Sequence, residues 1–286
     1  MLHLPKALNQ NPHRDWMILL LLWLLAAIVD RLWFAFDHSV PGWDQADHLT
    51  RSLNYWRVIQ NAQPHSGQWW TELWQQSSTY RAPFFYLATV PFFFLFGRGG
   101  DQATLINLVF TALLLVSTYL LGKRCFNRSI GLWAAGLGLL SPQLVYARTD
   151  YLLDYGLTAL VTAVFLCLTY WRDNPVRLAW VWSLWGGLGL GLTLLTKPTG
   201  FIYFLVPGIW VLGSSLLQRQ WLRLVQFVLA GVLAWLVIAP WFITNWLTIF
   251  TSMSHSNSVG AIEGDPTAAT LAGWLHYVQF LPGMIS

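Results

Sequence analysis

Several apolar runs in this sequence are about as long as a membrane is thick, and they constrain the fold more than any other feature. Each run is roughly 17–21 residues long, and about 20 residues of α-helix cross the ~30 Å hydrocarbon layer of a bilayer. Only 10% of the residues are charged, against ~25% in a typical soluble domain. The short alternating segments typical of a transmembrane barrel do not occur. The sequence therefore predicts an all-α fold, a polytopic transmembrane helix bundle.

About seven spans are predicted, and one further apolar segment is ambiguous. The ambiguous segment, Ala82–Phe96, is only ~15 residues long and contains Pro83 and Pro91, so it is too short to cross as a helix. The predicted spans are Trp16–Phe36, Gln102–Gly122, Ile130–Ala147, Tyr151–Trp171, Ala179–Leu195, Gly200–Leu217 and Leu224–Ile243.

The basic residues predict an orientation. If Ala82–Phe96 does not cross, the short loops Lys123–Arg128, Arg172–Arg177 and Arg219–Arg223 all lie on the same side as the N-terminus. Short cytoplasmic loops are enriched in Lys and Arg. We therefore expect an integral protein of the plasma (inner) membrane with a cytoplasmic N-terminus.

Four regions follow from this topology. Residues 1–15 are the cytoplasmic N-terminus and residues 16–245 the transmembrane core. Residues 37–101 form a long first outer loop with juxtamembrane helices, indicated by Leu49, Leu53 and Trp56 at helical spacing. Residues 246–286 are expected to form an outer loop and the start of another apolar segment, as in a fragment of a longer protein.

The composition also excludes some classes of function. The net charge of +4 comes from bases between apolar runs, not from a basic patch interleaved with aromatics, so nucleic acid is not an expected partner. Two cysteines, one of them within a span, do not indicate a disulfide framework. Seven scattered histidines lack the spacing of zinc ligands.

Two acidic pairs, both predicted at the outer face, are the candidates for chemistry. Asp44 and Asp47 begin the surface helix, where Asp44 is either an N-cap, with Asp47 completing a capping box, or a general base. Asp150 and Asp154 are four residues apart and would share a helix face. Asp150 is interpreted as a cap.

Asp154 lies inside an apolar run, where an ionisable group is costly and indicates function. A structural ion pair with Arg148 is the alternative for Asp154. Lys197 and Arg81 are basic residues on the predicted outer side, which departs from the orientation rule. Each is either a snorkelling surface residue or a contact for phosphate.

Five short motifs, taken in order, resemble those of the C-type glycosyltransferases that use polyprenyl-phosphate-linked sugars. The resemblance is closest to the branch that contains the protein O-mannosyltransferases and the lipid A aminoarabinose transferase, and it covers about residues 16–245. The motifs are Trp43-Asp44-Gln45-Ala46-Asp47-His48, Arg81-Ala82-Pro83-Phe84-Phe85-Tyr86, Leu153-Asp154, Thr196-Lys197-Pro198 and the turn Pro240-Trp241-Phe242.

This resemblance implies a membrane glycosyltransferase that moves a sugar, with inversion, from a polyprenyl-phosphate carrier to a lipid, glycan or protein acceptor outside the cytoplasm. Asp44 would be the general base, and Asp154 would position the base or the acceptor. The residues expected to bind substrate are Asp47, His48, Arg81, Asp150 and Lys197. A secondary transporter and a non-catalytic membrane fragment are the alternative functions.

Two departures from the family pattern bear on a metal cofactor. Gln45 stands where Asp or Glu is common, and Tyr80 stands where an acid or His often precedes the basic-Pro stretch. A divalent metal is possible on this pattern but is not favoured, and no other cofactor is expected.

Overall fold

The computed structural model describes residues 12–76, 81–262, 266, 270–275 and 278, and every regular element in them is helical. A 3₁₀ turn at Pro198–Phe201 precedes α11. The helices are α1 (Pro12–Phe36), α2 (Trp43–Gln60), α3 (Gly67–Gln75), α4 (Phe84–Phe96), α5 (Gly100–Ala103), α6 (Ile106–Cys125), α7 (Arg128–Leu139), α8 (Pro142–Thr149), α9 (Leu153–Asp173), α10 (Val176–Thr196), α11 (Ile202–Leu217), α12 (Trp221–Ile262) and α13 (Leu271–Leu275).

The predicted transmembrane helix bundle is confirmed. Within the described residues, six helices are long and apolar enough to cross a membrane, and α7 with α8 adds a seventh if the bent pair is one span. The predicted span Ile130–Ala147 is broken, since α7 and α8 meet at 56°. Pro142 begins α8, where its missing N–H costs nothing, but it cannot continue the helix that precedes it.

The ambiguous segment forms α4, which is too short to cross. Its 13 residues extend ~20 Å, less than the ~30 Å of a hydrocarbon layer. One face of α4 is buried against the bundle through Phe85, Tyr86 and Phe93. The helix therefore serves as a platform for the residues around it.

Buried hydroxyl groups hold α2 and α4, which lie between α1 and α6 in the chain, against the rest of the bundle. The Tyr151 hydroxyl, just before α9, lies 2.6 Å from Ser52 Oγ in α2 and 2.7 Å from Thr89 Oγ1 in α4. All three residues are buried, so each hydroxyl needs a partner within the protein. This contact fixes α2 and α4 against the start of α9.

Ion pairs at one end of the bundle show that the basic loops share a side. Arg128, at the start of α7, pairs with Asp15 near the start of α1. Arg124, at the end of α6, pairs with Asp173 at the end of α9 at 2.7 Å. Arg223, in the first turn of α12, donates to the carbonyl of Asn174 at 2.7 Å. Because the ends of α6 and α9 lie together, the chain crosses an even number of times between them, so α7 with α8 traverses the bundle once and α9 once.

A buried ion pair near the opposite end was not predicted. Arg148 Nη2 donates to Asp30 Oδ1 at 2.9 Å, and both side chains are only 4% exposed. The neighbouring Arg31 donates to the Asp101 carbonyl at 2.8 Å and to Thr104 Oγ1 at 2.7 Å. These contacts join α1 to α5, α6 and α8.

The C-terminal half of α12 differs from prediction. The helix does not end near Ile243 but continues to Ile262, so the expected loop at residues 246–262 is helical. Pro240-Trp241-Phe242 is not a turn, because it lies within this helix and Trp241 is fully buried. The expectations for residues 1–11 and for most of residues 263–286 lie outside the described residues.

Loss of Asp30 is expected to destabilise the protein strongly. Asp30→Ala leaves the Arg148 charge buried without its carboxylate, which typically costs about 3–5 kcal/mol. Asp173→Ala is the matched control, because its pair with Arg124 is solvent-exposed and such pairs contribute roughly 0–1 kcal/mol. Unfolding of the purified variants in detergent measures both. Equal losses for the two variants would contradict a structural role for the buried pair.

The fold also predicts that α2–α3 and the α6–α7 turn lie on opposite sides of a membrane. Cys125 is exposed at the end of α6 and serves as a native label, while His65→Cys with Cys125→Ser reports on the exposed turn before α3. An impermeant maleimide should label only one site in right-side-out vesicles and only the other in inverted vesicles. Labelling of both sites in the same vesicles would refute this topology.

Candidate functional site

The first turn of α2 presents two carboxylates to the segment that leads into α4. The N-cap of α2 is Gly42, and it makes no side-chain capping bond. Asp44 therefore does not cap the helix, and the capping alternative is wrong. Its carboxylate, with the side chain 63% exposed, is instead bound by Arg81.

Arg81 holds both acids of the first motif. Its Nη2 donates to Asp44 Oδ1 at 2.6 Å, and its Nη1 donates to Asp47 Oδ2 at 2.5 Å. Asp47 Oδ2 also accepts from Arg51 Nε at 2.9 Å, one turn along α2. The guanidinium fork suits this arrangement, because its N–H groups diverge at fixed angles toward separate acceptors.

The His48 ring also contacts the Arg81 guanidinium. Its Nδ1 lies 3.1 Å from Arg81 Nη1 and 3.0 Å from the Tyr86 hydroxyl of α4. Since Arg81 can only donate, Nδ1 accepts and the ring proton is assigned to Nε2. Burial, aided by the Arg81 charge, lowers the pKa of His48 to about 4. The ring is therefore neutral at neutral pH.

Arg81 also lowers the pKa of Asp44. The hydrogen bond from Arg81 holds the pKa of the Asp44 carboxyl below its ordinary value, although desolvation opposes this shift. The charges of Arg81 and Lys197 act in the same direction as the hydrogen bond. Asp44 is therefore a carboxylate at neutral pH and is able to accept a proton.

The second acidic motif pairs with Lys197. Asp154 lies in the first turn of α9, and its Oδ1 accepts from Lys197 Nζ at 2.8 Å. The alternative of an ion pair between Asp154 and Arg148 is wrong, because Arg148 is bound to Asp30. Lys197 follows the last residue of α10 in an extended conformation. Since its charge also lowers the pKa of Asp44, Lys197 links the two acidic motifs electrostatically.

Asp150 and Asp154 do not share a helix face. Tyr151 has a φ of +52°, which ends α8 and separates the two acids by a break in the helix. Asp150 is the C-cap residue that follows α8, and it does not cap α9, whose N-cap is Leu152. Asp150 contacts the Tyr146 hydroxyl and lines a cavity of about 70 Å³ with Gln45. The predictions that Asp150 caps α9 and that Asp150 shares a helix face with Asp154 are therefore both wrong.

Two neighbours of the site were missed from the sequence. Tyr86, whose hydroxyl bonds His48, is the last residue of the motif that begins at Arg81, but nothing in that motif indicates a contact with His48. Arg51 lay four residues after Asp47, the spacing of a helical ion pair, and this signal was available. Among the described side chains, no group of three His, Cys, Asp or Glu residues is arranged to hold a metal ion.

The low pKa of His48 predicts a pH-dependent stability. The unfolded ring has a pKa of ~6.5, so acid favours unfolding between about pH 6.5 and the folded value of about 4. The wild type should lose roughly 1–2 kcal/mol of its His48-dependent stability between pH 7 and pH 5. His48→Asn, which keeps an acceptor in place of Nδ1, should flatten this change in denaturation experiments.

His65→Asn is the matched control, since His65 is exposed. It should leave the pH dependence as in the wild type. A wild-type curve that is unchanged by His48→Asn would contradict the burial of a neutral ring at this position.

Comparison with known proteins relates this architecture to a family of transferases. An Undecaprenyl phosphate-alpha-4-amino-4-deoxy-L-arabinose arabinosyl transferase of Pseudomonas aeruginosa strain UCBPP-PA14 is 29% identical over 153 residues, which are 51% of this chain and 27% of the relative. A second such transferase, from Proteus mirabilis strain HI4320, is 31% identical over 195 residues, 64% of this chain and 33% of that protein.

Solved structures share the fold. The crystal structure of ArnT from Cupriavidus metallidurans in the apo state matches 96% of this chain with a TM-score of 0.61 at 21% identity. The same protein bound to undecaprenyl phosphate matches 98% with a TM-score of 0.58 at 18% identity. This chain spans about half of that protein, 49% of its length.

The match to a family model covers more than half of the chain. Residues 80–244, from the residue before Arg81 to the middle of α12, match the family described as Dolichyl-phosphate-mannose-protein mannosyltransferase. This range includes Arg81, Asp154 and Lys197 but not Asp44, which precedes it. The chain thus belongs to the dolichyl-phosphate-mannose-protein mannosyltransferase family.

Proposed function

We propose that this chain forms the catalytic core of a membrane glycosyltransferase that takes its sugar from an undecaprenyl-phosphate carrier. The observation that carries the proposal is the cluster in which Arg81 binds Asp44 and Asp47 while Lys197 binds Asp154. Two cations for phosphate and a carboxylate for the acceptor are the groups that such a transfer needs. Family membership favours this function over the secondary transporter.

The proposed reaction is a direct displacement at the anomeric carbon. An acceptor oxygen or nitrogen bonds to this carbon, and the bond from the carbon to the phosphate oxygen breaks. The polyprenyl phosphate leaves with the bonding electron pair, so it requires charge stabilisation more than a strong acid. Asp44 takes the acceptor proton, and attack from the face opposite the phosphate inverts the sugar.

Arg81 is proposed to couple donor binding to the basicity of Asp44. A bound phosphate would compete with the Asp44 carboxylate for Nη2 of Arg81, while Nη1 can stay with Asp47. Loss of that hydrogen bond would raise the pKa of Asp44 toward its ordinary value and make it a better base. Asp44 would then be a better base with a donor bound than without one.

His48 and Asp154 are proposed as positioning residues. Neutral His48 accepts from Arg81 without adding a second positive charge, and Tyr86 orients its ring. Asp154 holds Lys197 toward the site and is exposed enough, at 56%, to contact an acceptor as well. Asp150 lies beside Tyr146 and not in the Arg81 cluster, which supports at most a peripheral contact with substrate.

The site is proposed to face away from the cytoplasm. Arg124, Arg128 and Arg223 join helix ends on the side opposite to Arg148 and Asp30. Bases in short loops are retained on the cytoplasmic side, and this rule supports an outer location for the cluster around Arg81. A lipid donor is suited to this location, since its tail stays in the bilayer while its phosphate reaches the interface.

Asp44→Asn is the sharpest test of the proposed base. The amide keeps the shape and can still accept from Arg81, but it cannot take a proton. We expect sugar transfer by the full-length protein to fall by about 10²–10⁴-fold. Stability should change by less than ~1 kcal/mol, since the Asp44 side chain is 63% exposed and Arg81 keeps its bond to Asp47. Release of undecaprenyl phosphate from undecaprenyl-phosphate-linked 4-amino-4-deoxy-L-arabinose or mannose measures the rate.

Two further variants distinguish loss of the proposed base from loss of another negative charge. Asp47→Asn should be much milder, because Asp47 is proposed to hold Arg81 and not to take the proton. Glu72→Gln, at an exposed acid in α3, is the control for loss of negative charge. Normal transfer by Asp44→Asn would remove Asp44 as the base.

A further inference from the structure

A basic cavity lies at the end of the bundle that carries the three basic loops. It has a volume of about 560 Å³ and lies between the end of α9, the end of α11 and the start of α12. Arg172, Arg219 and Arg223 line it, together with two serines and two glutamines. Among the described residues, its lining includes no aspartate or glutamate. This composition suits an anionic ligand.

The three arginines are held differently. Arg223 donates to the carbonyls of Trp171, Arg172 and Asn174, so it anchors the C-terminal end of α9. The Arg172 guanidinium lies 3.8 Å from the centre of the Trp210 ring. Arg219 has a φ of +53° in the tight turn between α11 and α12. Arg172 and Arg219 therefore add charge to the cavity without the anchoring role of Arg223.

An apolar crevice adjoins this cavity. It has a volume of about 190 Å³, lies among α9, α10, α11 and α12, and shares Trp171 with the basic cavity. Gly208 and Gly231 line the crevice and leave it open, since a Cβ on Gly231 would meet no atom within 4 Å. A charged cavity that continues into an apolar crevice matches a ligand with an anionic head and a hydrocarbon chain.

We propose that this cavity and crevice bind one anionic phospholipid, with its phosphate between Arg172 and Arg219 and part of one acyl chain against Gly231. The lipid is preferred to a free anion because the crevice is apolar and begins where the basic cavity ends. Basic pockets between transmembrane helices are known to recognise such head groups. The bound lipid would join α9, α11 and α12 at the face opposite the proposed active site.

The first test removes charge. The delipidated full-length protein in detergent is titrated with phosphatidylglycerol, phosphatidylcholine or inorganic phosphate, and bound lipid is counted by native mass spectrometry. Phosphatidylglycerol should bind most tightly. Arg172→Gln with Arg219→Asn should weaken it roughly 30-fold, about fivefold for each charge. Asn at residue 219 tolerates the positive φ of this turn.

Arg177→Gln is the matched control, because Arg177 is exposed in the same basic loop but does not line the cavity. An equal loss in this variant would overturn the proposal in favour of general surface charge. Equal binding of phosphatidylcholine would also overturn it, as would inorganic phosphate that displaces the lipid.

The second test fills the crevice and does not depend on the arginines. Gly231→Leu places a side chain in open space within α12, so it should fold and weaken binding of long-chain phosphatidylglycerol at least tenfold. Gly213→Leu is its control, because Gly213 also has nothing within 4 Å of an added Cβ but lies outside the crevice. Equal lipid affinity in the two glycine variants would overturn the acyl-chain part of the proposal and, with it, the assignment to a phospholipid.

Discussion

The guanidinium of Arg81 is the interaction on which the site depends. It joins the first turn of α2 to the segment before α4, two elements that the chain reaches more than 30 residues apart. Its bonds place Asp44 and Asp47 side by side, and the same group lowers the pKa of Asp44 and adds to the effect of burial on the pKa of His48. One cation thus affects both the geometry and the pKa values of its neighbours.

The platform beneath this cluster is a consequence of burying polar groups in an apolar bundle. The hydroxyls of Tyr151, Ser52 and Thr89 satisfy one another and thereby fix α2 and α4 on α9. The buried pair of Asp30 and Arg148 does the same for α1 and α8. In low dielectric an unpaired polar group is costly, so each of these contacts constrains where the helices sit. These contacts therefore determine where the site lies in the bundle.

The sequence allowed the spans to be predicted because a bilayer imposes a length and a polarity on each helix. The short helix α4 could also be predicted, since charge and length both argued against a crossing. Partners that lie far apart in the sequence could not be predicted for the ionisable groups, in contrast to the Asp47–Arg51 pair at helical spacing. Arg148 is six residues from Asp154 but pairs with Asp30, which is more than 100 residues away, because Tyr151 breaks the helix between them. Asp44 has the sequence context of a cap, yet the distant Arg81 binds it.

A structure of the full-length protein with bound undecaprenyl phosphate tests the account most directly. We predict that the phosphate contacts Arg81 and Lys197, and that Nη2 of Arg81 has left the Asp44 carboxylate. Asp44 would then face the space where the anomeric carbon of a donor sugar lies. A phosphate bound elsewhere, with the bond between Arg81 and Asp44 intact, would contradict both the proposed site and the coupling of donor binding to the base.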